Sequence, residues 1–175
     1  MRKLLLILSL SLFAVANTLT FEKGEISAHT EIFGDSNINP STKTISSTLQ
    51  IDTTLESIKG KIMIDPLSLK SDKNGRDEHM YELLNTKTHP SIFFEITNIE
   101  KTKKYYKING TLTLNGVSKN IVSFADIQEY RKDISIKGLF SINLTQFGMK
   151  PPSMFFVTVR DKIDINYKLS YKKEK

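Results

Sequence analysis

Apolar residues recur at every second position along most of the chain beyond residue 20, and that period leaves little room for any fold except antiparallel sheet. Ile134, Ile136, Gly138, Phe140, Ile142 and Leu144 alternate with Ser135, Lys137, Leu139, Ser141 and Asn143. Ile163, Ile165, Tyr167 and Leu169 alternate with Asp164, Asn166, Lys168 and Ser170. Successive side chains on a strand point to opposite faces, so each run has one dry face and one wet face. The same pattern marks Ile45–Ile51, Ile58–Ile64, Ile92–Ile96 and Tyr106–Leu114. With strands expected near Gly24–Phe33 and Ser118–Tyr130, the count reaches about eight. Asn115-Gly116 between two runs suits a tight hairpin turn, whose central residues need positive φ. The runs follow one another too closely for the crossover helices that parallel strands require. The expected fold is therefore all-β, an antiparallel meander closing into an eight-stranded barrel. At that strand number the interior holds packed side chains or one small ligand.

One segment departs from the period. Gly75–Asn85 combines strong helix formers with apolar residues at helical spacing. Asp72, Asn74 and Gly75 are candidate caps, Asp77 and Glu78 suit the positive end of the helix dipole, and Asn85 with Pro90 ends the pattern. Arg76, Met80 and Leu84 fall in one row of this amphipathic helix, with His79 and Leu83 in the next. Neither an internal repeat nor a low-complexity linker divides the chain, so residues 17–175 are expected to form one domain.

Residues 1–16 read differently. Met1-Arg2-Lys3 opens with positive charge, Leu4–Ala16 carries none, and Ala14-Val15-Ala16 is a small-x-small cleavage pattern. The expectation is a signal peptide removed after Ala16, leaving Asn17 at the mature N-terminus of an exported protein. An uncleaved membrane anchor is the alternative, but the apolar run falls short of the about 20 residues a spanning helix needs. The sequence has no cysteine, which removes disulfides, thiol chemistry and lipoprotein acylation together. The 25 basic residues exceed the 19 acidic ones only modestly, and their one dense cluster is Lys168, Lys172, Lys173 and Lys175. No basic stripe interleaved with aromatics is present, so nucleic acid is not an expected partner.

Catalytic constellations are sparse. His29, His79 and His89 are the only imidazoles, and none is spaced for a metal site with another. No G-x-S-x-G elbow or glycine-rich phosphate loop is present, so neither an enzyme nor a cofactor is expected. Two segments stand out instead. Arg76 to Met80 permits two roles: pinning the helix to a loop and a strand, or holding a polar head group at a cavity mouth through Arg76 or His79. Phe147 to Phe156 carries three phenylalanines and two methionines around Gly148, Pro151 and Pro152. It can plug a barrel end or form an adaptable apolar portal. If the interior takes an extended tail, Met80, Leu84, Phe94, Phe140, Met149 and Met154 are the residues expected to touch it.

Ser71-Asp72, Arg76-Asp77-Glu78-His79-Met80, Leu83-Leu84 and His89-Pro90-Ser91-Ile92-Phe93-Phe94 together resemble the helix-plus-strand signature of the YceI-like proteins. Gly110-Thr111-Leu112-Thr113-Leu114-Asn115-Gly116-Val117-Ser118-Lys119 resembles that family's hairpin, with Asn115 where His is frequent and Ser118 where Thr is. Phe147-Gly148-Met149 and Val159-Arg160-Asp161-Lys162-Ile163-Asp164-Ile165 resemble its closing segment. The family often has a Trp near the mature N-terminus; this chain has none, and Phe21 stands at the comparable place. The resemblance implies an extended, lipocalin-like eight-stranded barrel with one helix, located in the periplasm. It also implies a carrier of amphiphilic lipids (polyisoprenoids, isoprenoid quinones, fatty acids or their amides), with homodimers in some members. Two other functions fit the same residues: a structural or stress-response barrel filled by its own side chains, and a hydrolase acting on an amphiphile.

Overall fold

The computed structural model describes residues 17–32, 34–154 and 157–174. The expected leader over residues 1–16 lies outside the described residues, as do Phe33, Phe155 and Phe156 and the side chains of Ser36, Met154 and Val157. Strands β1 (Asn17–Ile32), β2 (Asp35–Ile38), β3 (Ser41–Thr42), β4 (Ile45–Ser47), β5 (Leu49–Ile51) and β6 (Gly60–Ile64) precede helix α1 (Asn74–Leu83). After it come β7 (Ile92–Lys101), β8 (Tyr106–Leu114), β9 (Val117–Tyr130) and β10 (Asp133–Asn143). The short pair β11 (Ser153–Met154) and β12 (Val157–Thr158) leads into β13 (Lys162–Lys173).

Hydrogen bonding runs antiparallel from β6 through β7, β8, β9, β10 and β13 to β1. The segment holding β4 and β5 then joins the two ends. β4 pairs with β6 from Ile45↔Ile64 to Ser47↔Ile62, while β5 pairs with the start of β1 from Asn17↔Ile51 to Leu19↔Leu49. With β4 and β5 counted as one stave, eight staves form the barrel that the alternation predicts.

Register follows the pleat. On β8, Tyr106, Ile108, Gly110, Leu112 and Leu114 are buried and the residues between them are half-exposed. On β10, Ile136, Phe140 and Ile142 face inward, while Lys137, Ser141 and Asn143 face water. Leu139 shares the outward parity and is 55 % exposed despite being apolar. A slip of one residue reverses the whole set, which is why parity prevails over the preference of one leucine. Strand β1 starts at Asn17 rather than near Gly24, because a register shift between Phe21 and Lys23 breaks the period. Leu19 and Phe21 point inward before it, Ile26 and Ala28 after it.

Helix α1 begins one residue before Gly75, but its cap is Lys73, with extended backbone and no side-chain hydrogen bond. Asp72, Asn74 and Gly75 are thus not the caps. Asn85 in the left-handed region (φ 50°) closes the far end, as its position suggests. Tyr81 Oη donates to the Leu69 carbonyl at 2.7 Å and ties the helix to the preceding turn.

The core divides along the barrel axis. One end is filled by Leu19, Leu49, Ile51, Ile58, Ile134 and Tyr171. The other gathers Leu69, Leu84, Leu114, Leu144, Phe147 and Met149 beneath α1 and the turn Leu144–Phe147. Phe147 is wholly buried and Met149 nearly so, so this half of the Phe147–Phe156 segment packs as a plug. Asn115 Nδ2 donates to the Phe147 carbonyl at 3.0 Å, fastening the plug to the hairpin turn.

Candidate functional site: an apolar cavity under the helix

A cavity of about 740 Å³ lies between the two core clusters. Sites for small molecules run from roughly 300 to 1,000 Å³. Its walls are the inward positions of the staves, among them Ile26, Ile62, Leu112, Ile142 and Ile165. Two glycines keep the space open. A Cβ at Gly110 would come within 2.3 Å of the Phe94 ring, and one at Gly138 within 2.2 Å of the Tyr167 hydroxyl. Both rings therefore lie against the barrel wall, over a neighbouring strand that has no side chain there. Phe94 stacks on Phe140 at 6.2 Å between ring centroids and 21° between planes.

Tyr167 also supplies one of the polar groups deep in the barrel. Ser123 Oγ donates its only proton to the Leu139 carbonyl at 3.0 Å, so Tyr167 Oη donates to Ser123 Oγ at 2.8 Å. Farther down, Tyr171 and Ser47 share a 3.0 Å hydrogen bond. Burial pushes both phenols up from about 10 to about 12. Below pH 10 the folded and unfolded chains both keep these protons, and the full stability is present. Between pH 10 and 12 the unfolded chain releases them first, so stability falls as pH rises. The loss should approach roughly 2–3 kcal/mol per tyrosine. Urea melts at pH 9.5 and 11.5 on wild type, Tyr167→Phe and Tyr171→Phe measure it. A phenylalanine variant that loses as much stability over this interval as wild type would contradict the assignment.

Polar groups gather at the other end, on α1. Arg76 Nη2 donates to Asp35 Oδ2 at 2.6 Å and Nη1 to Asp72 Oδ1 at 2.9 Å. Lys73 Nζ stands 3.8 Å from the same Asp35 oxygen. The Asn37 N–H and the Arg76 guanidinium hold the Asp35 carboxyl below its usual range. Arg76 thereby clamps α1 to β2. Asp77 is 2 % exposed; its Oδ1 accepts the Ser71 N–H at 2.8 Å, and its Oδ2 is buried without a partner among the described residues.

Of the residues singled out in the sequence, Arg76, His79, Met80, Leu84, Phe94 and Phe140 all border the one cavity. His79 is exposed and sits at the rim. Met149 is buried in the plug and does not line the space. Met154 belongs to β11 by its backbone, and its side chain lies outside the described residues. Sequence reasoning gave Asp77 only structural roles, at the helix start and in pinning the helix to a loop, placed Tyr167 only as an inward strand position, and passed over Ser123. Asp77 was detectable, because it falls three residues before Met80 and seven before Leu84, on the inward stripe. Among the described residues no three His, Asp or Glu side chains gather as a metal site, and no helix is long and apolar enough to cross a membrane.

Comparison with known proteins bears on this arrangement. The model of the YceI-like domain matches residues 17–171. A UPF0312 protein of Azotobacter vinelandii is 31 % identical over 104 residues, 54 % of this chain and 54 % of that protein. A UPF0312 protein of Photorhabdus laumondii is 32 % identical over 77 residues, 43 % of this chain and 40 % of that protein. The alignments thus span about half the length of these curated relatives or less. Among solved structures, the Campylobacter jejuni YCEI protein superposes with a TM-score of 0.68 at 26 % identity, covering 80 % of this chain and 86 % of that one. Burkholderia cenocepacia BcnA reaches 0.74 at 17 % identity, covering 84 % and 95 %. A polyisoprenoid binding domain from Saccharophagus degradans reaches 0.63 at 12 %, covering 91 % and 99 %. The last two likenesses concern the fold.

Proposed function

The chain belongs to the YceI-like domain family, and on that footing we propose that it is a carrier holding the apolar tail of an amphiphilic lipid inside the barrel. The observation that carries this reading is the shape and chemistry of the cavity: about 740 Å³ with aliphatic and aromatic walls, and charged groups only where α1 meets the rim. Such a space suits a molecule with a long apolar part and one polar end. The polyisoprenoid binding domain of similar fold supports an isoprenoid among the candidates. A barrel serving only as structure has no reason to keep this volume unfilled, since interiors otherwise pack closely. Catalysis finds less support. Ser71 and Ser123 both donate their hydroxyl protons to backbone carbonyls rather than to a histidine or carboxylate among the described residues. The proposal extends to export into the periplasm with residues 1–16 removed, on the strength of the Ala14-Val15-Ala16 pattern.

Retinol, an isoprenoid alcohol whose fluorescence rises in apolar surroundings, is a direct probe. Delipidated protein recovered after export should bind it saturably, one per chain, and its intact mass should begin at Asn17. Linear, non-saturable partitioning would contradict the carrier reading. A membrane-bound product retaining Met1–Ala16 would contradict the exported form.

A further inference from the structure

We propose that a packed floor across the barrel limits the length of the tail, so that the chain encloses tails of about geranylgeranyl length and shuts out long polyisoprenoids. This rests on the carrier reading and adds to it a length limit set by named residues.

The cavity stops before the strands do. Its deepest walls are Ile96 on β7, Ile108 on β8, Ile136 on β10 and Leu169 on β13, which also belong to the core cluster at the far end. Ile136 and Leu169 stand opposite each other in register. On each of these strands the next inward side chain lies behind the floor: Ile99, Tyr106, Ile134 and Tyr171 are all buried in the same cluster and none borders the space. Tyr171 is further held by its hydrogen bond to Ser47. Three of the floor residues are isoleucines, whose β-branching restricts their rotamers. A floor so backed cannot retreat before a longer ligand without disrupting close packing.

Volume then decides which tails fit. Water takes about 30 Å³ per heavy atom in the liquid, and at that density the cavity of about 740 Å³ holds roughly 25 heavy atoms. Geranylgeraniol falls within that limit, and solanesol far exceeds it. The excess of a longer tail stays outside the mouth, where it gains nothing from burial.

The test offers delipidated protein a series of isoprenoid alcohols that differ in tail length alone, each delivered from cyclodextrin in competition with retinol. From geraniol through farnesol to geranylgeraniol, affinity should rise by about tenfold or more per isoprene unit, and solanesol should gain nothing further. Ile136→Ala deepens the floor, so the affinity of geranylfarnesol relative to geranylgeraniol should rise several-fold. Ile134→Ala, one layer behind the floor, also empties a buried site but should leave that ratio unchanged. Affinity that climbs unbroken through solanesol in wild type overturns the proposal. So does a ratio unchanged in folded Ile136→Ala, or shifted equally by both variants. If none of the alcohols displaces retinol, the carrier reading itself fails; if they displace it without a length limit, only the floor does. The wild-type series decides whether or not the variants fold.

Discussion

Replacing Phe147 with alanine is expected to destabilise the protein by about 3–5 kcal/mol, the range for emptying a fully buried aromatic site. Phe147 has no exposure and packs with Leu114, Leu144 and Met149 in the cluster that closes the helix end of the barrel. Backbone geometry in the turn is set independently of the ring. Gly148 takes the left-handed conformation at φ 70°, and Asn115 holds the Phe147 carbonyl. The variant should therefore keep the turn and lose the packing. Domains of this size are commonly stable by only 5–15 kcal/mol, so the substitution would remove a large share of the total. Urea titration followed by tyrosine fluorescence reads the difference directly. A loss below about 1 kcal/mol would mean that the Phe147–Met149 segment is a loose portal rather than a plug.

Most of the barrel was legible because an inward-facing stave leaves a local signature. Strand β10 shows it best: alternation alone placed Ile136, Phe140 and Ile142 inside and Lys137, Ser141 and Asn143 outside, as they are. The Asn115-Gly116 turn and α1 were legible for the same reason, since each is written in a few consecutive residues. What stayed hidden depends on partners far apart in the chain. Arg76 meets Asp35 across 41 positions and Tyr167 meets Ser123 across 44, and neither pairing leaves a trace in any local window. The start of β1 was missed because its bulge resets the period, and the cap of α1 because Lys73 uses no side chain. The cavity illustrates the limit most clearly. Its aromatic lining at Phe94 and Phe140 was expected, but whether space remained could not be read. That depends on Gly110 and Gly138 lying beneath Phe94 and Tyr167 on adjacent strands.

Filling that space should abolish function while sparing the fold. Ala28 lines the cavity from β1, paired with Ile165 of β13. Ala28→Trp would send an indole into volume that nothing in the folded chain occupies. Overpacking a tight core typically costs 1–3 kcal/mol, but here the ring has room, so stability should change by no more than about 1 kcal/mol. Ligand affinity should fall by about a hundredfold or more, because tail and indole compete for one space.

Native mass spectrometry of wild-type and Ala28→Trp protein, each purified from its own cells without detergent, tests the hollow-carrier account most directly. Wild type should carry one lipid-sized adduct per chain, released by organic extraction, and the folded Ala28→Trp variant should run at its bare polypeptide mass. A wild-type protein that is empty as purified and stays empty after incubation with lipid extract would contradict the account, as would an adduct that persists undiminished in folded Ala28→Trp.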